Sequence, residues 1–538
     1  MDSFEKKLEK RKSKFKSKSK KQDSVNKRVN LTISLSNKNR EKKLTNKRKL
    51  LQDYNLLHPE KIQEYQKLPL PKASDFPQIA NLLEGNNLVS IRKYLYLLRS
   101  LIALPDPPYS KFVSSGIVDC VINFLQNSKD VVILFESAWI ICNIASTSSI
   151  FVTRLYKMNI IPILIDLLDH DNIRILEQVI WALGNISGDR ILYRDLIIKT
   201  EGCIEKIIKA FQKETSDSEL IKTICWAYTN FVRDPNKEVV KLTGDALPHL
   251  TKLLYHEEIS IISDVCNSLC NLTTRNFKMV DLLIDCNVIK KIIDLISHNN
   301  SNIQFYSLRC IGNVLTGTKE QTQAVIDNGG IICISKLLDD PNVTLRKESC
   351  WALSNICAGS VQQIQSVIES KALTQSIEIL KNETFTVQKE AIWIFINICL
   401  CGKREQKETI IKYGIIDIFC EMLTMNNIKI TLNCLQCLDD ILLLGKEIQI
   451  EQGFMNQNEM ASYIRGISGQ KKITQLENSN NKKVSLLATK IMDTYFQNFI
   501  ISKNDMYEIE DLDEKKVFAW ESFLFTNIED NDYEIDYD

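Results

Sequence analysis

Histidine is scarce, with five in 538 residues. His170, His256 and His298 recur at steps of 86 and 42 residues, so they share one repeated slot, where they are expected to cap helix carbonyls or favour the helix dipole. His58 and His249 stand in no cluster, so no catalytic histidine is expected. Neither a phosphate-cradling glycine loop nor a dinucleotide fingerprint is present. Cys434 and Cys437 form a CxxC, but no second pair or histidine follows at zinc spacing. No enzyme, metal site or cofactor is therefore expected. No apolar run approaches the roughly 18 residues of a membrane span, and no apolar segment follows the lysine-rich start, so neither an anchor nor a secretory signal is expected. The sixteen cysteines then read as reduced, mostly buried thiols of a soluble intracellular protein.

The formal net charge of +1 hides a division. Residues 1–50 carry 19 Lys+Arg against 5 Asp+Glu, and the rest of the chain carries 49 against 62. A basic arm, residues 1–60, is tethered to an acidic body. Being polar and charge-rich, it is expected to be disordered or a nascent helix by itself. Residues 505–538 hold 13 Asp+Glu against 2 Lys, with aromatics around Trp520, so residues 501–538 read as an acidic tail.

Between these ends lies a repeat. Aligning ESAWIICNIAS, EQVIWALGNISGD, IKTICWAYTNFVRD, SDVCNSLCNLTT, YSLRCIGNVLTGT, KESCWALSNICAG and KEAIWIFINICLCG places Trp139, Trp181, Trp226, Asn267, Arg309, Trp351 and Trp393 in one slot. Four residues later stand Asn143, Asn185, Asn230, Asn271, Asn313, Asn355 and Asn397. The steps are 42, 45, 41, 42, 42 and 42 residues, within the roughly 40–47-residue band of HEAT and armadillo units, each two or three helices. Weaker units flank the series, at Leu88–Leu104, Thr431–Gly445 and Val484–Phe496. The expected fold is all-α, an armadillo-type right-handed superhelical solenoid of about ten units, spanning residues 75–500 as one long domain.

Residues four apart share a helix face. One Trp/Asn pair per unit therefore builds two parallel ladders. Asn offers a donor and an acceptor to an extended backbone, while indoles wall slots in which Lys or Arg stems lie and their charges meet ring faces. The opposing reading makes these core residues. A lone Trp would usually be core, but seven buried asparagines would need seven polar partners, so an open groove for a basic peptide is expected.

The lines EQVIWALGNISGD, KESCWALSNICAG and IGNVLTGTKEQTQAVID resemble the importin-α family, and the resemblance runs from about Lys14 to Phe496. It implies ten armadillo units whose groove holds two sites for basic nuclear-localisation peptides. The implied major site comprises Trp139/Asn143, Trp181/Asn185 and Trp226/Asn230, with Ser146 and Asp189 gripping the deepest lysine and Asp264 adding an acid. The implied minor site comprises Arg309/Asn313, Glu348 with Trp351/Asn355, and Glu390 with Trp393/Asn397, with Thr316 and Thr322 beside its lysine. Against the family pattern, Asn267 replaces Trp, Asn271 Tyr, Thr147 Gly, Val152 a lysine-bonding Thr, and Lys319 an acid. The anchoring pocket thus keeps Asp189 but loses one hydroxyl.

The N-terminus resembles the family's importin-β-binding segment, with KFKSK (Lys14–Lys18) as an early basic element and Lys27 and Arg28 opening the basic helix. Lys47, Arg48 and Lys49 fall where the family has an autoinhibitory signal mimic. The implied partners are basic cargo, an importin-β-type carrier and the exportin that recycles the adaptor through Val484–Phe496. The implied location is shuttling between cytoplasm and nucleus, without direct nucleic-acid or membrane binding. The rival function is an armadillo scaffold of the junctional or vacuolar kind, whose groove would carry Lys, Arg and His instead. A third reading gives the arm to nucleic acid.

Overall fold

Long helices build the array, and seven of the ten begin where a short polar side chain meets unpaired backbone N–H groups. In the computed structural model, which describes residues 59–104, 106–212, 218–274, 276–452 and 458–496, ten such helices recur once per unit. They are α1 (Leu88–Ile102), α2 (Val131–Ala145), α3 (Ile173–Asp189), α4 (Ser218–Phe231), α5 (Ile259–Thr273), α6 (Ser301–Leu315), α7 (Val343–Cys357), α8 (Phe385–Cys401), α9 (Ile428–Glu451) and α10 (Lys482–Tyr495). Asn87, Asp130, Asn172, Asn300, Asn342, Asn427 and Asn481 cap α1, α2, α3, α6, α7, α9 and α10, each accepting from N–H groups of the first turn.

The histidine slot belongs to the same device and corrects the expectation made for it. His170, His256 and His298 serve a helix start rather than a helix end. Their Nδ1 atoms accept from the backbone N–H of Asn172, Glu258 and Asn300 at 2.9, 2.9 and 3.0 Å. At the fourth occurrence Asp340 accepts from Asn342 at 2.8 Å. What lacks a partner there is the donor-rich start of the next helix, so an acceptor is selected.

Two shorter helices precede each long one, for example Ser149–Lys157 and Ile160–Asp166 before α3. The turn between them recurrently needs a left-handed residue, found at Gly116, Asn159, Gly202, Asn287, Gly329, Gly414 and Ser468, with φ between 55° and 86°. Glycine and asparagine dominate because a Cβ opposes that conformation least in them.

Successive long helices pack side by side, α1 on α2 and so on to α7, and α8 on α9 on α10. Their apolar faces form the core, with Leu134, Ile141, Leu183, Phe231, Leu308 and Phe395 all buried; each such side chain contributes about 1.5–3 kcal/mol. The molecule divides between Gly359 and Ser360 into two compact units, the first carrying α1–α7 and the second α8–α10. All sixteen cysteines are thiols outside any disulfide, and only Cys286 and Cys333 are less than buried. Burial pushes the Cys266 and Cys270 thiols up to about 12. Among the described residues no helix is long and apolar enough to cross a membrane, and none of their His, Cys, Asp and Glu side chains form a group that could hold a metal.

Candidate functional site

The two slots fall one turn apart on each of α2 to α8. Within the first unit, side-by-side packing of the helices puts them in rows. The Trp181 and Trp226 rings meet edge to face, centroids 6.1 Å apart. Asn185 Nδ2 donates to Cys142 O at 3.3 Å, Asn230 Nδ2 to Gly184 O at 3.3 Å, and Asn313 Nδ2 to Cys270 O at 3.1 Å. In each case the acceptor is the carbonyl just before the previous unit's asparagine. The asparagine row is stitched from helix to helix.

That stitching corrects the expectation of an open ladder. Trp139, Trp226 and Trp351 keep only 9, 8 and 6% of their surface, while Trp181 and Trp393 are half-buried. The asparagines are buried too, apart from the half-buried Asn313. For Trp226 and Trp351 the reason is glycine. A Cβ at Gly184 would stand 2.6 Å from Trp226 Cζ3, and one at Gly312 would stand 2.1 Å from Trp351 Cζ3. These two indoles therefore lie down on the bare backbone of the preceding long helix.

Burial leaves some carboxamide valence unmet. Asn143 Nδ2, Asn185 Oδ1 and both polar atoms of Asn355 are buried and have no hydrogen-bond partner. Such atoms cost about 1–3 kcal/mol each unless a ligand or water meets them. The fourth rung differs. Asn271 Nδ2 donates to Asn267 Oδ1 at 3.3 Å, so the two substituted residues satisfy each other along α5. Asn313 also reaches Thr273 and Thr274 Oγ1, at 3.1 and 3.2 Å.

The side chains implied to grip lysine hold hydrogen bonds within the fold. Asp189, at the end of α3, accepts from Ser149 Oγ through Oδ1. Ser146 Oγ donates to Asn143 O at 2.7 Å, and its counterpart Thr316 Oγ1 donates to Asn313 O at 2.7 Å. Thr322 is fully buried, its hydroxyl donating to Thr318 O at 2.9 Å. Asp264 is half-buried and Lys319 exposed. Glu390, Trp393 and Asn397 all lie on α8 in the second unit, where Asn397 is 3% exposed. Lys27, Arg28, Lys47, Arg48, Lys49 and Trp520 lie outside the described residues.

Two Arg–Glu–Trp clusters punctuate the rows. Arg309 Nη1 sits 2.5 Å from Glu348 Oε2, and its guanidinium lies 5.3 Å from the Trp351 ring centroid. Arg99 repeats this on α1, with Nε 2.5 Å from Glu136 Oε2 and the guanidinium 4.1 Å from the Trp139 ring. In the second unit Lys429 Nζ lies 4.8 Å from the Trp393 ring. These cations belong to the chain itself, so they place part of the expected cation–indole chemistry inside the fold.

The armadillo/β-catenin-like repeat model matches residues 106–146, 154–188, 276–316 and 318–358, which carry the rungs of α2, α3, α6 and α7. Importin subunit alpha-3 of Arabidopsis thaliana is 32% identical over 74% of this chain and 75% of its own length. The chain belongs to the importin-α family. Importin subunit alpha-1b of Oryza sativa subsp. japonica is 31% identical over 75% of this chain and 74% of its own. A solved engineered protein, a structural-genomics target, shares the fold, with a TM-score of 0.68 at 21% identity over 78% of this chain and 98% of that one. The armadillo-repeat, all-α solenoid expected from the periodicity is the fold of this importin-α chain.

Sequence reasoning missed Arg99, Glu136, Ser149, Gly184, Gly312 and Lys429. Two signals were available. Glu136 precedes Trp139 by three residues, as Glu348 precedes Trp351, and glycine directly precedes Asn185 and Asn313. Ser149 left no periodic trace.

Proposed function

We propose that this importin-α chain is a nuclear import adaptor that takes basic localisation peptides along α2–α4 and links them to an importin-β-type carrier through its N-terminal arm. The observation that carries the reading is the set of buried, unpartnered carboxamide atoms at Asn143 and Asn185, with the Asp189 carboxylate one turn after Asn185 on α3. An extended backbone offers alternating donors and acceptors to such atoms, and the carboxylate selects a cation. The same logic gives Asn355 and the Glu348 region on α7 a second, minor site. The partners are basic cargo, the carrier and a recycling exportin, and the protein shuttles between cytoplasm and nucleus.

Titration of the full chain with a fluorescent KKKRK peptide tests this. Binding is expected to weaken with salt, and Asp189→Lys is expected to weaken it more than about tenfold, by setting like charge against like. An unchanged affinity overturns the site assignment. Pull-down of the full chain and of a form lacking residues 1–50 with the carrier tests the arm, since retention of the shortened form would place carrier binding elsewhere.

A further inference from the structure

Val152, the residue standing where the family has a lysine-bonding threonine, is buried hydrocarbon at 1% exposure. A hydroxyl reaches the pocket from another position. Ser149, in the first turn of helix Ser149–Lys157, donates its hydroxyl to Asp189 Oδ1 of the following unit. The other oxygen, Oδ2, is buried and accepts no hydrogen bond; the nearby cation, Arg190 Nε, stands 3.5 Å away on a side chain that is 54% exposed. Neither Ser146 nor Thr147 duplicates Ser149, because their hydroxyl protons go to Asn143 O and Ile144 O, at 2.7 and 2.6 Å. These two residues follow the last turn of α2, where helix carbonyls carry partial negative charge that favours a cation.

We infer that Ser149 is a positioning residue that makes this pocket select lysine over arginine. With Oδ1 already accepting from Ser149, Oδ2 is the oxygen that the Asp189 carboxylate holds without a hydrogen bond. An ammonium is a point charge and needs only one. A guanidinium binds a carboxylate best through two parallel N–H···O bonds, which require both oxygens. The inference rests on the peptide-binding reading above and names the residue through which Asp189 discriminates.

The test uses the full-length wild type, Ser149→Ala and Ser149→Thr, with fluorescent KKKRK-type peptides carrying Lys, Arg or norleucine at each position in turn. Anisotropy titration gives each affinity. In the wild type, one position is expected to favour Lys over Arg and over norleucine by about tenfold. In Ser149→Ala the Lys-to-Arg ratio at that position is expected to fall about threefold or more, because Oδ1 is released to an arginine fork. Ratios at the other positions stay put, and Ser149→Thr restores the wild-type ratio. Circular dichroism and Tm establish that each variant folds. A Ser149→Ala protein that keeps the wild-type ratio at every position, or weakens all peptides equally, overturns the inference and leaves the adaptor reading standing. A wild type that binds no basic peptide overturns both.

Discussion

The rungs on α2 and α3 and those on α5 and α6 occupy the same slots of the same repeat, yet they differ in how fully their polar atoms are partnered. On α2 and α3, Asn143 Nδ2 and Asn185 Oδ1 are buried without partners, and Asp189 keeps one oxygen without a hydrogen bond. On α5 and α6, Asn271 closes on Asn267, Asn313 reaches three acceptors, and Arg309 pairs with Glu348. A repeat fixes where a side chain sits; what its neighbours already offer decides whether it can serve a ligand. The first stretch keeps part of its hydrogen-bonding capacity in reserve while Asn185 joins α3 to α2; the second spends its capacity, within α5 at Asn271 and between helices at Asn313.

The largest contrast is expected in stability. Glu136→Ala would strand Arg99 as an unpaired buried cation, at a cost of about 3–5 kcal/mol, since the side chains of that pair are 2% and 0% exposed. Glu348→Ala should cost less, because Arg309 and Glu348 keep 5% and 8% exposure and water can reach them. Hydrogen exchange reads the local effect. Equal loss of protection in α1–α2 and α6–α7 would show the two clusters to be equivalent.

Peptide affinity gives the next contrast. Asn185→Ala is expected to weaken a KKKRK peptide about tenfold, the size of one or two backbone hydrogen bonds, and Asn271→Ala to leave it nearly unchanged. Matching losses in titration would erase the distinction drawn between the stretches.

The smallest contrast lies in the caps. Asp130 caps α2 and pairs with Arg92, whereas the uncharged Asn342 caps α7. Burial acts to raise the Asp130 carboxyl, but Arg92 and the N–H groups of Ile133 and Val132 outweigh it and hold the group below its ordinary value. Its folded value is depressed, so its contribution is complete above the ordinary carboxylate range and is lost as pH falls through the lowered value. Acid should therefore loosen the start of α2 by about 1 kcal/mol and spare α7. Asp130→Asn should remove that pH dependence, and a persistent one in exchange measurements would assign it to other carboxylates.

The 42-residue step, the seven Trp/Asn slots and the all-α repeat fold were legible in the chain because helical periodicity is local: residues four apart share a face whatever surrounds them. The candidate site was legible as a set of positions, because the four-residue spacing puts Asn185 and Asp189 on one face of α3. Its exposure was not. Trp226 and Trp351 read as open walls, but Gly184 and Gly312 let them recline, and nothing within one unit's sequence states the distance to the next helix. His170, His256 and His298 were placed in their shared slot, but their role as acceptors depended on which backbone N–H lay two residues ahead.

By itself, then, the sequence determined the period, the helix starts and the identity of each rung, all consequences of short-range geometry and side-chain chemistry. The packing of one unit on the next decided which carboxamides are satisfied, that Arg99 and Arg309 lie over the chain's own indoles, and that Ser149 holds Asp189. Those contacts join residues about 40 positions apart, where only the stacking of helices sets the distance.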